Sequence, residues 1–367
     1  MSASYKIPFY AKTALICIGL FAFISVLYIG QNIIVPLVYA TLISIVLSPI
    51  VNFLVKIGLN RILAIGITII IVCIVAVSII ALLSVQVSRL GDSFPRLVGK
   101  FNELLQQTES WISAHFKISA SRIQGWVELT NAEVITRFRS LIGQTLINIG
   151  SVLVILILIP VYIFMLLFYQ PLLIEFIHKL FRANRLIAVD EVLAAIKRLI
   201  RSYLVGLLTE ALIVAILDAS SLLIIGIDYA ILLGVIGALL NVIPYIGGIL
   251  GASLPILIAL ATKSPLYVLL VIGAYMIIQF VDNHLIIPTI VASKVQINAL
   301  VSVIVVLAGA ALWGLPGMLV SIPLTGILKV VFDHIDGLKP WGYLLGNTVP
   351  GAPKAIFFKK NKKAEAV

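Results

Sequence analysis

The sequence predicts an all-α integral membrane protein with about six full transmembrane helices plus two Gly/Pro-broken helical hairpins, or about eight spans in total, and an amphipathic helical extramembrane insert. Three observations lead there. Of the 367 residues, 62% are hydrophobic and 11% are charged, whereas soluble domains carry about 45–50% and about 25%. Long apolar runs recur along the chain, each able to cross a hydrocarbon layer of ~30 Å at about 1.5 Å per residue. Late in the chain, Gly and Pro cut the apolar sequence into pieces too short to cross by themselves.

Residues 1–88 hold three runs, at about 13–29, 33–55 and 62–88. The first, Ala14 to Ile29, has no small-residue cleavage site and continues through Gln31-Asn32 into further apolar sequence, so it reads as a retained span and not a signal peptide. Over 89–145, Phe94, Leu97, Val98, Phe101, Leu104, Leu105, Trp111 and Ile112 recur at three- and four-residue spacing among Arg96, Lys100, Glu103 and Glu109. That pattern is an extracytoplasmic amphipathic helical insert. A fourth span follows over 146–169. Residues 170–203 set His178, Lys179, Arg182, Arg185, Lys197, Arg198 and Arg201 around Leu193, Ile196 and Leu199, a basic amphipathic linker along the cytoplasmic membrane surface.

The core, 204–334, opens with a fifth run at 204–227 and keeps one other intact run at about 265–287. Its remaining pieces, 230–243 with 249–262 and 299–312 with 318–332, are broken at Asn241-Val-Ile-Pro-Tyr-Ile-Gly-Gly248 and Trp313-Gly-Leu-Pro-Gly317. Each pair is either one long kinked span or a hairpin that turns back. Residues 335–367 form a basic tail, with Lys359, Lys360, Lys362 and Lys363 suited to anionic lipid.

A net charge of +11 would point to nucleic acid in a soluble protein. Here it sets topology, and no nucleic-acid partner is expected. Lys and Arg concentrate in the N-terminal segment, around 56–61, in 170–203 and in the tail, which places both termini in the cytoplasm. Hairpins or kinked spans merely exchange the sides of Lys263 and Lys294, so charge leaves that choice open. Cys17 and Cys73, in apolar runs without metal-type spacing, read as core packing.

No H-x-E, HExxH, GxSxG, Walker or GxGxxG motif stands in a fitting context, so neither an enzyme nor an ATP-driven pump is expected, and no cofactor or metal. Backbone freed from helical pairing at membrane depth is tolerated only where protein or a water-filled cavity covers it. The two breaks therefore mark a pathway for a small-molecule or ion substrate, lined by Asn241, Pro244, Tyr245, Gly247, Gly248 and Gly251 on one side and by Gly314, Pro316 and Gly317 on the other. The alternative is packing alone, with Gly247 and Gly251 at GxxxG spacing bringing helices together.

Ion-coupling candidates are Glu210, Asp218, Gln279, Asp282 and Asn283. A carboxylate at the centre of a span costs ~2.5–3.5 kcal/mol on insertion scales, so two in 204–227 imply an aqueous path, a partner or protonation. Eight residues turn a helix by about 80° and rise about 12 Å, so Glu210 and Asp218 alone are not a carboxylate pair. Gln279, Asp282, Asn283 and His284 read equally as an ion site or as a polar helix terminus before Pro288. His178 and His334 read as surface residues.

With these residues in view, the chain resembles the autoinducer-2 exporter (AI-2E) family of bacterial membrane permeases. The likeness is carried by Arg201-Ser-Tyr-Leu-Val-Gly206, Leu233-Gly234, Asn241-Val-Ile-Pro-Tyr-Ile-Gly247, Gln279 with Asn283 and Pro288, and Leu315-Pro-Gly-Met-Leu-Val-Ser-Ile-Pro323. The resemblance implies an inner-membrane location and ATP-independent export of a small signalling molecule or metabolite, with Na+(Li+)/H+ antiport in some relatives. It also implies a homo-oligomer, with a pentamer as one form. Three positions depart from it: Val205-Gly206-Leu207 stands where relatives often read Arg-Gly-Gln, Gly248 where Pro is common, and Asp218 where the residue is often small or apolar. Against a secondary transporter stand two other readings, a non-transporting oligomeric scaffold whose 89–145 insert binds a partner, and a passive channel.

Overall fold

The computed structural model describes residues 8–116, 149–182, 185–243, 247–292 and 295–347. Helices account for almost all of them: α1 (Phe9–Ile29), α2 (Gln31–Lys56), α3 (Arg61–Phe116), α4 (Ile149–Phe168), α5 (Gln170–Leu180), α6 (Leu186–Ile225), α7 (Ala230–Asn241), α8 (Gly247–Thr262), α9 (Pro265–Val281), α10 (Ala299–His334) and α11 (Lys339–Leu345). α9 runs on without a break as a π-helix over Asp282–Ala292.

Phe9–Ile29, Gln31–Lys56, Arg61–Ser88, Leu186–Ile225, Pro265–Ile290 and Ala299–His334 are long and apolar enough to cross a bilayer. The apolar part of α4 bends by 60° into α5 and makes a further candidate. Large apolar side chains such as Phe21, Ile70, Leu82 and Ile224 stand more than half exposed, which suits lipid and not water. α1 buries none of its own residues. Cys17 lies on its exposed surface, so the core position expected for it is not where the helix puts it; Cys73 is intermediate. Because lipid is as apolar as a protein core, hydropathy alone does not separate those two places.

Length and composition misdescribe α10. At Gly314 the backbone takes φ 63°, ψ −144°, a region open essentially to glycine alone. The chain reverses there, because Gly309 and Gly317 meet backbone to backbone, whereas a straight helix would hold them about 12 Å apart. α7 and α8 form the equivalent first hairpin: Gly251 lies against Gly237, and Gly247 against Leu240 and Asn241. The open choice between kinked spans and hairpins is thereby resolved as two helical hairpins, each closed by a glycine pair that lets its arms touch.

α6 is the axis of the fold. Its buried residues Ile200, Tyr203, Gly206, Glu210, Val214, Asp218 and Leu222 form one stripe at three- and four-residue spacing. It runs unbroken through the 203/204 boundary drawn from the sequence, with Arg201 on its exposed side. Leu222, with Ile227, packs on Ala230 and Leu233 of the first hairpin, its second arm supplying Ile258 and Ala259 and α9 supplying Val271 and Tyr275. Ile200, nearer the other end, packs on Leu42 of α2 and Val320 of the second hairpin. The two hairpins thus cover opposite ends of α6 and approach each other near residues 203–210. A separate cluster of α2, α3 and α4, around Ala40, Leu47, Ala64, Ile65 and Ile163, completes the packing.

Beyond the second hairpin, Asn298 fastens α11. Its Oδ1 accepts from the Val301 N–H at 2.9 Å, and its Nδ2 donates to the carbonyls of Leu344 and Gly346 at 2.7 and 3.2 Å. Nearby, a hydrogen bond from Lys339 and its charge hold the exposed Asp336 carboxyl below its ordinary range.

Candidate functional site

Between α6, the tip of the first hairpin, α9 and the second hairpin lies a cavity of about 750 Å³. Its polar lining is Tyr203 and Glu210 from α6, Asn241 from α7, Tyr275, Gln279 and Asn283 from α9 and its π-helical continuation, and Ser302 from the second hairpin. Ile249, Ile256, Met276 and Ile322 supply apolar wall. A mostly apolar cleft of this volume with a few convergent polar groups has the form of a small-molecule site.

The floor is a hydrogen-bonded relay. Asn241 Nδ2 donates to Asp282 Oδ2 at 2.7 Å, and Gln279 Nε2 donates to Asn241 Oδ1 at 3.3 Å. Gly248 belongs to it as well: any Cβ there would strike the Gln279 amide. The departure at 248 is therefore what lets Gln279 lie across the hairpin backbone. Asp282 is wholly buried, its Oδ1 without a hydrogen-bond partner among the described residues. It does not sit at a helix terminus, since the helix widens into a π-helix from that residue onward, a feature that often marks functional segments.

Asp282 also brings the carboxylates of α6 together. Glu210 and Asp218, 4% and 2% exposed, each interact electrostatically with Asp282. The ion pairs among the described residues lie elsewhere, at Lys100–Glu103, Glu175–Lys179, His178–Asp190, Lys329–Asp333 and Asp336–Lys339. The three buried acids have no basic partner there. Among the described residues no group of three His, Cys, Asp or Glu side chains is placed to hold a metal ion.

Of the residues singled out from the sequence, Glu210, Asn241, Gly248, Gln279 and Asn283 line the cavity, while Asp218 and Asp282 are buried beside it. Gly247 and Gly251 face the other arm of their own hairpin. Pro244 and Tyr245 lie outside the described residues, as do Lys294 and most of the 89–145 insert. Gly314, Pro316 and Gly317 are not among the cavity's lining residues. The tip they form is held against the N-terminal helices, where Trp313 Nε1 donates to the Leu27 carbonyl at 3.0 Å and the Tyr39 hydroxyl donates to the Pro316 carbonyl at 3.0 Å. His178 bonds Asp190 at 2.8 Å, and His334 bonds the Val330 carbonyl.

Tyr203, Tyr275 and Ser302 were not anticipated. Tyr275 had a signal: with Gln279 and Asn283 it repeats at four-residue spacing, one face of a helix. Ser302 had none, because only the fold of the second hairpin carries it to the cavity.

Five long apolar helices, the bent α4–α5 pair and two reversing hairpins around a buried polar cleft define a multi-pass membrane permease. The family model described as AI-2E family transporter matches residues 16–337, and the chain belongs to that family of bacterial inner-membrane proteins. It is similar to YrrI of Bacillus subtilis (strain 168), 36% identical over 132 residues, covering 36% of this chain and 37% of YrrI. It is also similar to the AI-2 transport protein TqsA of Escherichia coli (strain K12), 31% identical over 160 residues, 43% of this chain and 46% of TqsA. These alignments thus span less than half the length of either relative.

Proposed function

We propose that this protein is a secondary, ATP-independent transporter that exports a small polar signalling molecule or metabolite through the cleft between its two hairpins. The observation that carries the reading is the cavity of about 750 Å³ whose floor, the Gln279–Asn241–Asp282 relay, joins a hairpin tip at Asn241 to α9 and its π-helical continuation. Helices broken at depth and lining a cavity are how carriers build midplane sites. Asn241, Gln279, Asn283 and Ser302 bind the substrate's polar groups, and Ile249, Ile256 and Met276 its apolar part. Glu210 at the wall and Asp282 beneath it couple ion movement to cargo. Substrate enters from the cytoplasm, where both termini lie, and the two hairpins dip from opposite faces of the membrane. The surface of α1, none of whose residues is fully buried within the chain, suits lipid and contact between copies in a homo-oligomer.

Purified protein in liposomes tests this. Flux of a small polar metabolite under an imposed H+ or Na+ gradient is expected, with Asn241→Ala and Glu210→Gln each lowering it at least tenfold while the protein stays folded. No flux under any gradient would end the proposal, and flux indifferent to the second ion would make the protein a channel. A second reading, Na+(Li+)/H+ antiport without an organic cargo, is favoured by the three buried acids that lack basic partners among the described residues. It predicts Na+-driven proton movement with no metabolite present.

A further inference from the structure

We infer that Asp218, Tyr275 and the Gly251 carbonyl form a binding site for a partly dehydrated monovalent cation inside the first hairpin, beside the substrate cavity that Tyr275 also lines. The place is marked by Gly237. A Cβ on that residue would lie 3.0 Å from Asp218 Oδ2, 3.4 Å from the Tyr275 hydroxyl and 3.6 Å from the Gly251 carbonyl oxygen. Oxygens from three different helices, α6, α9 and α8, therefore face one small space that exists because α7 carries no side chain there.

Among the described residues the Tyr275 hydroxyl is buried without a hydrogen-bond partner, and so is Oδ1 of the Asp218 carboxylate whose Oδ2 faces the space. Their side chains belong to residues 7% and 2% exposed. The Gly251 carbonyl has lost its ordinary helical partner, because the residue four positions on is Pro255, which has no N–H to offer. Asp218 and Tyr275 also interact electrostatically.

Buried oxygens of this kind are costly in a medium with no water to bond them. A carboxylate without a basic partner is costlier still. One negative charge with two neutral oxygens matches a hard monovalent cation. Divalent ions ask for more carboxylate and more oxygen ligands. Carriers place Na+ against freed backbone carbonyls in this way. Bound there, the ion ties α8 to both flanking spans, holding the hairpin whose tip carries Asn241.

The test needs no transport and stands whether or not the carrier reading does. The purified full chain in detergent is unfolded by heat in NaCl, LiCl and KCl, each against N-methylglucamine chloride at equal ionic strength. A saturable rise in unfolding temperature with one or more alkali cations is expected, as binding to the native state alone requires. Asp218→Asn and Gly237→Ala abolish the rise, whereas Asp228→Asn, on an exposed turn, keeps it. Should those two variants fold poorly, Tyr275→Phe preserves the shape and needs at least threefold more cation for the same rise. Equal behaviour in all salts, or a cation effect intact in Asp218→Asn or Tyr275→Phe, overturns the inference. Absence of any cation effect, with Asp218→Asn as stable as the parent, would mean a protonated Asp218 and likewise overturns it.

Discussion

The reversal at Gly314 makes a prediction whose sign, and not only its size, depends on the fold. Gly309 and Gly317 press together so closely that a Cβ on Gly309 would sit 2.5 Å from the Gly317 carbonyl oxygen, with backbone on both sides. A methyl carbon approaches a carbonyl oxygen no nearer than about 3.3 Å, so the arms must part by about 0.8 Å. Forced repacking of that kind costs ~1–3 kcal/mol. Gly66 and Gly273 are the calibration: each is inside a helix with nothing within 4 Å of its would-be Cβ, so Ala there gains the helix-propensity difference of ~1 kcal/mol. Unfolding of the four single variants in mixed SDS and neutral detergent should therefore place Gly309→Ala and Gly317→Ala about 1–3 kcal/mol below Gly66→Ala and Gly273→Ala. Leu at 309 should fall further. If α10 were one continuous span, 309 and 317 would stand two turns apart, and all four alanines would stabilise alike. Equal stability of the four refutes the hairpin.

Three further outcomes are expected. Asn298→Ala removes an N-cap worth ~1 kcal/mol and strips a donor from the carbonyls of Leu344 and Gly346, so limited proteolysis should release the segment after His334 sooner; Asn298→Asp, which keeps the cap and loses the donors, should fall between. Cysteine at Lys263, in a Cys17→Ser, Cys73→Ser background, should react with an impermeant thiol reagent on intact cells, since with both termini inside a hairpin over 230–262 returns its end to the outer face; labelling only after lysis would contradict that topology. Asp336, held below the ordinary carboxylate range by Lys339, supports the turn above its ordinary pKa and loses that support as pH falls through the lowered one. Lys339→Ala should move the Asp336 midpoint back up in an NMR titration.

The helical content, the apolar spans and the sites of both breaks were legible in the sequence because they depend on local features: run length, the missing N–H of proline and the freedom of glycine. Asn241, Glu210, Gln279 and Asn283 were legible as site candidates for a related reason, since polar groups in apolar runs are expensive and therefore conspicuous. Hairpin against kinked span was not legible. Both models satisfy the same hydropathy and nearly the same charge bias, and the difference lies in whether residues such as 309 and 317 meet.

By itself, then, the sequence determined a multi-pass helical protein interrupted at Asn241–Gly248 and Trp313–Gly317. Tertiary structure decided that Asp282 comes within electrostatic reach of both Glu210 and Asp218, that Ser302 reaches the cavity, and that the tip at Trp313–Gly317 packs against α1 and α2. It also turned Gly237 and Pro255, two unremarked residues of apolar helices, into the edges of an oxygen-lined space. The physical reason is that lipid tails and protein interior are equally apolar. Hydrophobicity therefore says how far a helix goes but not which neighbour it faces. Contact between helices rests on small residues, freed carbonyls and buried polar groups, whose partners are fixed only when distant parts of the chain come together.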